Sequence, residues 1–179
     1  MDLQTRYGRL EDLQKYTDLL QHVYEFSYSD ERIGLPKKLF SKKIFASRNT
    51  QDYLASHLID TNKQKTWLSF LGNELVGSVT CVLINNEEAE LTGFYVHPDY
   101  QGRGFGKRLY NLALEFAGNR DLVLDIYTHN IKTIEMYKKW GWKLDQTKGN
   151  KGYFYRHWPE WPEGVQAKSL YMRLPRSRP

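Results

Sequence analysis

A chain of 179 residues with 26 Lys+Arg and 21 Asp+Glu has the length of one domain, and its 40% hydrophobic and 15% aromatic content excludes a disordered chain. A single Cys excludes an internal disulfide and a Cys-based zinc site, and points to a reducing compartment. The net charge of +5 favours anionic ligands in general without singling one out.

In chain order, residues 1–14 lack a charged start followed by an apolar stretch, so no secretion signal is expected. A first helix runs from about Arg9 to Phe26, with Leu10, Leu13, Thr17, Leu20 and Tyr24 on one stripe. Pro36 suits the first turn of a second helix carrying Leu39, Phe40 and Ile44, with Lys37, Lys38, Lys42 and Lys43 on its polar face. Asn49 or Thr50 can cap a short third helix with Tyr53, Leu54 and Leu58. The period then changes. Thr66 to Leu71, the turn Gly72-Asn73, and Leu75 to Ile84 read as a hairpin, and Ala89 to Val96 as a third strand stopped by Pro98. Helical spacing returns from Gly104 to Ala117, then a strand from Leu122 to Tyr127, then a helix from Ile131 to Lys139 ended by Gly141. Trp142 to Leu144, Tyr153 to His157 and Lys168 to Arg173 close the sheet, with the rigid loop WPEWPEG before the last strand. No apolar run reaches the ~18 residues of a membrane helix. The expectation is one α/β domain over residues 1–179, soluble and cytoplasmic, with residues 175–179 frayed.

The most informative segment is Gln101-Gly102-Arg103-Gly104-Phe105-Gly106, between a strand and a helix. Glycines let the backbone curl so that several N–H groups converge, and the helix start adds unpaired N–H groups and partial positive charge. Such a turn suits a phosphate or diphosphate, with Lys107 and Arg108 beside it. The glycines are spaced by two, which is not the Rossmann pattern. Gly102 to Gly106-Lys107 is one residue short of a Walker A loop, and Arg108 stands where Ser or Thr is needed. An ordinary Gly-rich strand–helix connection is the plain alternative.

Around that turn the sequence reads Ala89-Glu90-Leu91-Thr92-Gly93-Phe94-Tyr95-Val96-His97-Pro98. Further on, a strand ends in Asn130 and a helix ends in Tyr137-Lys138-Lys139-Trp140-Gly141-Trp142. In both blocks, their order and their separation, the chain resembles the GNAT superfamily of N-acetyltransferases over residues 89–144. Thr133 stands where the family often has Ala, and Trp142 where it has Phe. The resemblance implies a mostly antiparallel, splayed mixed sheet with helices on both faces. It implies acetyl-CoA as co-substrate, and direct transfer of its acetyl group to a primary amine, here expected on a small molecule. The main-chain amides of Gln101, Gly102, Arg103, Gly104, Phe105, Gly106 and Lys107 would hold the diphosphate. The edge at Phe94, Tyr95 and Val96 would pair with the pantetheine amides, and Asn130 would bond the cofactor. Tyr137 takes the family's general-acid position, against a core tyrosine; Glu90 takes the position of a general base, against a paired surface glutamate.

Gly93 marks either a bulge or a close contact. Asp125 either orders the acceptor or is structural. The five His show no ligand spacing, so no metal is expected, and Cys81 reads as a buried structural thiol. The acceptor side is expected in residues 24–48 and 156–167. Tyr24, Glu25, Tyr28, Asp30 and Glu31 there suit a cationic amine, and Trp158 and Trp161 form a ligand wall or a homodimer contact. A peptide N-terminus or lysine is the alternative acceptor, and a catalytically silent CoA-binding module the alternative class. Scattered Lys and Arg without a reader motif speak against nucleic acid.

Overall fold

Residues 66–70 and 75–81 of the central strands are buried throughout, because a core covers each face of the sheet. In a computed structural model, which describes residues 2–176, the strands are β1 (Leu3–Tyr7), β2 (Gln64–Leu71), β3 (Glu74–Leu83), β4 (Glu88–Val96), β5 (Asp121–Tyr127), β6 (Lys143–Leu144), β7 (Tyr153–Arg156) and β8 (Ala167–Leu174). They form one sheet in the order β1-β2-β3-β4-β5-β8-β6, with β7 also on β8. Among the described residues only the β4–β5 pairing is parallel. The helices are α1 (Leu13–Ser27), α2 (Lys42–Phe45), α3 (Arg48–His57), α4 (Phe105–Ala117) and α5 (Ile131–Lys139). On β2, Trp67 faces a core under α4 and α5, built with Val79, Leu91, Leu109, Ala113, Leu124 and Ile134. Leu68 and Phe70, the residues beside it, face a second core under α1, α2 and α3, with Tyr16, Leu20, Phe45 and Leu54. The expected mixed α/β fold with helices on both faces is the one observed.

Local chemistry corrects four readings. β1 is an unanticipated strand, a half-exposed edge whose residues do not alternate clearly in polarity. Leu10 is not on the buried stripe of α1 but 58% exposed, because its segment is a 3-10 turn before the helix. The second helix breaks at Ser41, leaving a 3-10 turn over Lys37–Phe40 and only one turn of α2. The cap of α3 is Ser47, whose Oγ accepts from the Thr50 N–H at 3.3 Å, rather than Asn49 or Thr50. In the tail expected to fray, the Arg176 N–H donates to Asp121 at 3.1 Å, while residues 177–179 lie outside the described residues.

β4 and β5 pair only from Glu88/Asp121 to Glu90/Val123. At that closed end the Arg173 guanidinium of β8 donates to Glu88 at 2.7 Å, Asp145 at 2.9 Å and Asp121 at 3.2 Å, and Lys148 donates to Glu88 at 2.7 Å. Burial alone would raise the Glu88 and Asp145 carboxyls. The hydrogen bonds from Lys148, Thr147 and Arg173 outweigh it, so both carboxyls titrate below their ordinary values. A carboxylate with a depressed folded pKa stabilises the fold above its unfolded pKa, and that stability is lost as pH falls through the folded value. Arg173→Met is therefore expected to lower the unfolding free energy by roughly 1–3 kcal/mol at pH 7, because three carboxylates lose their shared cation, Glu88 keeping only Lys148 and Asp145 only Thr147. Urea titrations across pH should show the gap to wild type closing in acid; a gap independent of pH would contradict the clamp.

Candidate active site

Beyond Glu90 the two central strands part. β4 keeps its antiparallel partner, with Gly77 opposite Val96 and Ser78 opposite Tyr95, but the register slips between Ser78 and Thr80. The slip is a bulge at Gly93, which sits at φ +54° with its carbonyl accepting from the Ser78 Oγ at 2.8 Å. A Cβ on Gly93 would lie 2.7 Å from the Tyr16 hydroxyl and 3.0 Å from the Thr80 Oγ, so the bulge and the close contact both require glycine. The gap that opens is lined by Leu91, Thr92, Phe94 and Tyr95 from β4, and by Asp125 and Tyr127 from β5. Tyr137 of α5, Tyr24 and Tyr28 of the α1 segment, Tyr53 of α3 and Arg156 of β7 complete it.

At the end of β4 the chain makes the glycine turn. Gly102 and Gly104 have φ of +76° and +83°, the left-handed region, and a Cβ at either would meet nothing within 4 Å. The turn is thus open on its outer side and shaped by backbone conformation. Among the described residues, no acceptor bonds the amides from Gly102 to Lys107; the first closed helical bond is from the Arg108 N–H to the Gly104 carbonyl at 3.2 Å. The Gln101 N–H is used inside the turn, donating to the Pro98 carbonyl at 3.2 Å. The Lys107 ammonium lies 4.9 Å from the Trp140 ring centre, and the Arg103 guanidinium 5.2 Å from that of Tyr100, so both cations flank the turn. Gly106 lets α4 approach β4: its Cβ would stand 3.3 Å from Val96.

Tyr137 lines the cleft but is 5% exposed, and burial raises its phenol well above the usual value. It is therefore a neutral donor at any ordinary pH. Glu90 projects on the same side of the sheet as Asp125. Burial first, then repulsion from Asp125, raises its carboxyl above the usual range. Asp125 itself is ion-paired with Arg156. Asn130 starts α5 without capping it through its side chain. Among the described residues no cluster of three or more His, Cys, Asp or Glu is arranged to hold a metal. Cys81 is fully buried and its thiol is pushed up to about 12.

A model of the acetyltransferase (GNAT) family matches residues 18–142. The chain belongs to that family. It is 28% identical over 142 residues to an uncharacterized N-acetyltransferase of Methanocaldococcus jannaschii, covering 74% of this chain and 57% of that one. It is 26% identical over 136 residues to a histone acetyltransferase of Glycine max, covering 74% and 56%. The chain thus spans little more than half the length of these curated relatives. Its fold is similar to that of PaiA N-acetyltransferase from Thermoplasma acidophilum, solved in complex with coenzyme A, with a TM-score of 0.67, 19% identity, and coverage of 95% of this chain and 99% of that one. No helix among the described residues is long and apolar enough to cross a membrane.

On this GNAT scaffold the acceptor side departs from expectation. Glu25 is bonded by the Gln21 side chain at 2.7 Å, and Asp30 by Arg32, so these acids are occupied within the chain. Trp161 is 4% exposed and its indole N–H donates to the Leu39 carbonyl at 3.1 Å; it is a core anchor and neither a ligand wall nor a dimer contact. Trp158 packs 5.3 Å from the Tyr24 ring, and its N–H donates to the Tyr127 hydroxyl at 3.1 Å. Sequence reasoning passed over Tyr53, Thr92 and Arg156. Their signal was weak: each lies in a different element, and only the sheet order brings them together.

The raised Glu90 carboxyl has a stability consequence. A carboxyl whose folded pKa exceeds its unfolded one binds its proton more tightly in the fold, so stability falls as pH rises through the interval and stays reduced above it. Glu90→Gln removes that penalty and is expected to melt above wild type at pH 7, with the two converging below about pH 4. A lower melting temperature at pH 7 would mean that Glu90 is held by a favourable partner.

Proposed function

We propose that residues 1–179 act as one N-acetyltransferase domain that moves the acetyl group of acetyl-CoA to a primary amine of a small molecule. The observation that carries this is the row of unpaired amides from Gly102 to Lys107, at the start of α4 and next to a strand edge that β5 has left. Unpaired N–H groups at a helix start suit a diphosphate. The free edge of Phe94, Tyr95 and Val96 suits an amide-bearing arm laid alongside as an added strand. The residues present therefore fit coenzyme A, whose thioester supplies the acetyl group when bound.

Each residue then has a task. The amides of Gly102, Arg103, Gly104, Phe105, Gly106 and Lys107 hold the diphosphate, with Gln101 fixing the turn through its N–H and through its side-chain donation to the Val96 carbonyl at 3.2 Å. Arg103, Lys107 and Arg108 add full charge. Asn130 orients the cofactor arm from the α5 side. Tyr137, held neutral by burial, donates a hydrogen bond to the departing sulfur and supplies its proton. Glu90, with its raised carboxyl, takes the proton of the incoming ammonium directly or through water, since a lysine-like amine is almost wholly protonated at pH 7. We place the protein in the cytoplasm, acting without nucleic acid or membrane, with a homodimer as the candidate assembly. The Glycine max relative is a histone acetyltransferase, and its name supports the rival acceptor, a peptide lysine.

Free-thiol release from acetyl-CoA over a panel of amines tests the reading. Acetyl-CoA alone is expected to raise the melting temperature. Tyr137→Phe keeps the buried ring and is expected to lower kcat at least about tenfold while KM for acetyl-CoA stays within about twofold. Glu90→Gln should slow turnover most near neutral pH, where the carboxylate is ionised and the amine still protonated, and least in acid, where the wild-type carboxyl is itself protonated. Binding without thiol release from any amine would favour the silent module, and an unchanged kcat in Tyr137→Phe would remove the acid.

A further inference from the structure

The acceptor side contains a second cavity that the cofactor machinery leaves unused. It encloses about 290 Å³, about three times the 90 Å³ of the cleft between β4 and β5. Both are bounded by Tyr24, Tyr53, Gly93, Tyr95 and Arg156, so the two adjoin and share a wall. In that shared wall the Tyr24 and Tyr95 hydroxyls are bonded to each other at 2.7 Å. The narrow cleft has room for only a few heavy atoms, whereas the wider chamber matches the lower end of small-molecule sites, about 300 Å³.

The chamber's walls are mainly rings and aliphatic side chains: Leu20, Phe45, Leu54 and Trp158 close it beyond the shared tyrosines. Phe45 and Trp158 stand 5.7 Å apart, centre to centre. Its charged groups already have partners. Arg156 is paired with Asp125, and Glu160 accepts from the Ser47 hydroxyl at 2.6 Å. His57 is bonded through Nδ1 to the Tyr16 hydroxyl at 3.0 Å, and burial lowers its pKa to about 4, so its ring is uncharged at neutral pH. His157 bonds the Val165 carbonyl through Nδ1 at 2.7 Å. A second ammonium on the acceptor would lose its water against these walls and find one carboxylate, already bonded. A flat apolar ring would find edge and face contacts with Phe45, Tyr53 and Trp158.

We infer that the acceptor is an arylalkyl primary amine, with its nitrogen in the narrow cleft and its ring in this chamber. The inference rests on the acetyl-transfer reading and names the substrate class for it. The amine nitrogen bonds to the acetyl carbon and the carbon–sulfur bond breaks. The sulfur leaves with that electron pair and takes up a proton, and the nitrogen gives one up, leaving an N-arylalkyl acetamide and a free thiol.

The probe is 2-phenylethylamine, set against spermidine and a short lysine peptide, on wild type, Asn49→Trp and Tyr53→Ser. Asn49 and Tyr53 are exposed on α3 and line the chamber, so neither change empties the core. Thiol release and saturation-transfer NMR on the phenyl protons are read together. The inference expects kcat/KM for 2-phenylethylamine at least about tenfold above both rivals. In Asn49→Trp its KM should rise at least about fivefold and the phenyl signal should fade, with Tyr53→Ser weaker in the same direction. The melting shift with acetyl-CoA should persist in both variants. Preference for spermidine or the peptide overturns the inference while acetyl transfer stands. A phenyl signal that is absent, or unmoved by Asn49→Trp, overturns it too. A phenyl signal lost in Asn49→Trp, with no thiol release from any amine, supports the chamber and contradicts acetyl transfer.

Discussion

The parting of β4 from β5 is the constraint on which the rest of this structure depends. Two neighbouring strands with apolar cores on both faces would ordinarily pair along their whole length, because an unpaired strand edge leaves main-chain donors and acceptors without partners. Here one end is held shut by Arg173 between three carboxylates, and the other is turned aside by a left-handed glycine at the bulge. Between them lies a cleft whose wall is main chain. A bound arm with amides of its own could satisfy that edge, as the proposed reading has it.

The same parting sets the electrostatics. The open end of β4 runs into the glycine turn, where unpaired amides, the start of α4 and flanking cations gather positive potential. Asp125 lines the opposite side of the cleft and is neutralised by Arg156, while Glu90, at the last paired position of β4 before the strands part, sits in an unfavourable setting for a carboxylate. In the proposed reading, anion and amine would arrive from different sides. Phenols that burial keeps protonated line the space between, so they donate without carrying charge.

Much of this was legible in the sequence because it is local. The glycine turn, the strand before it, the helix after it and the break at Gly141 are carried by contiguous residues with strong conformational demands. The central hairpin and α4 and α5 likewise announce themselves by period. What was not legible is what depends on register. β1 is an edge strand with little polarity contrast. Trp161 looked like surface because it sits between prolines, yet the chain folds it under Leu39. Glu25 and Asp30 read as free acids because their partners, Gln21 and Arg32, are a matter of rotamers and turns. Arg156 and Tyr53 face the cleft only because β7 and α3 arrive on that side of the sheet, which no single segment encodes.

The most direct measurement is a crystal structure of this chain grown with coenzyme A. The account predicts the diphosphate within hydrogen-bond distance of the amides from Gly102 to Lys107, the pantetheine amides on the free edge of Phe94 to Val96, and the sulfur beside the Tyr137 hydroxyl. A nucleotide bound elsewhere, or strands β4 and β5 closed on each other with the arm outside, would contradict it.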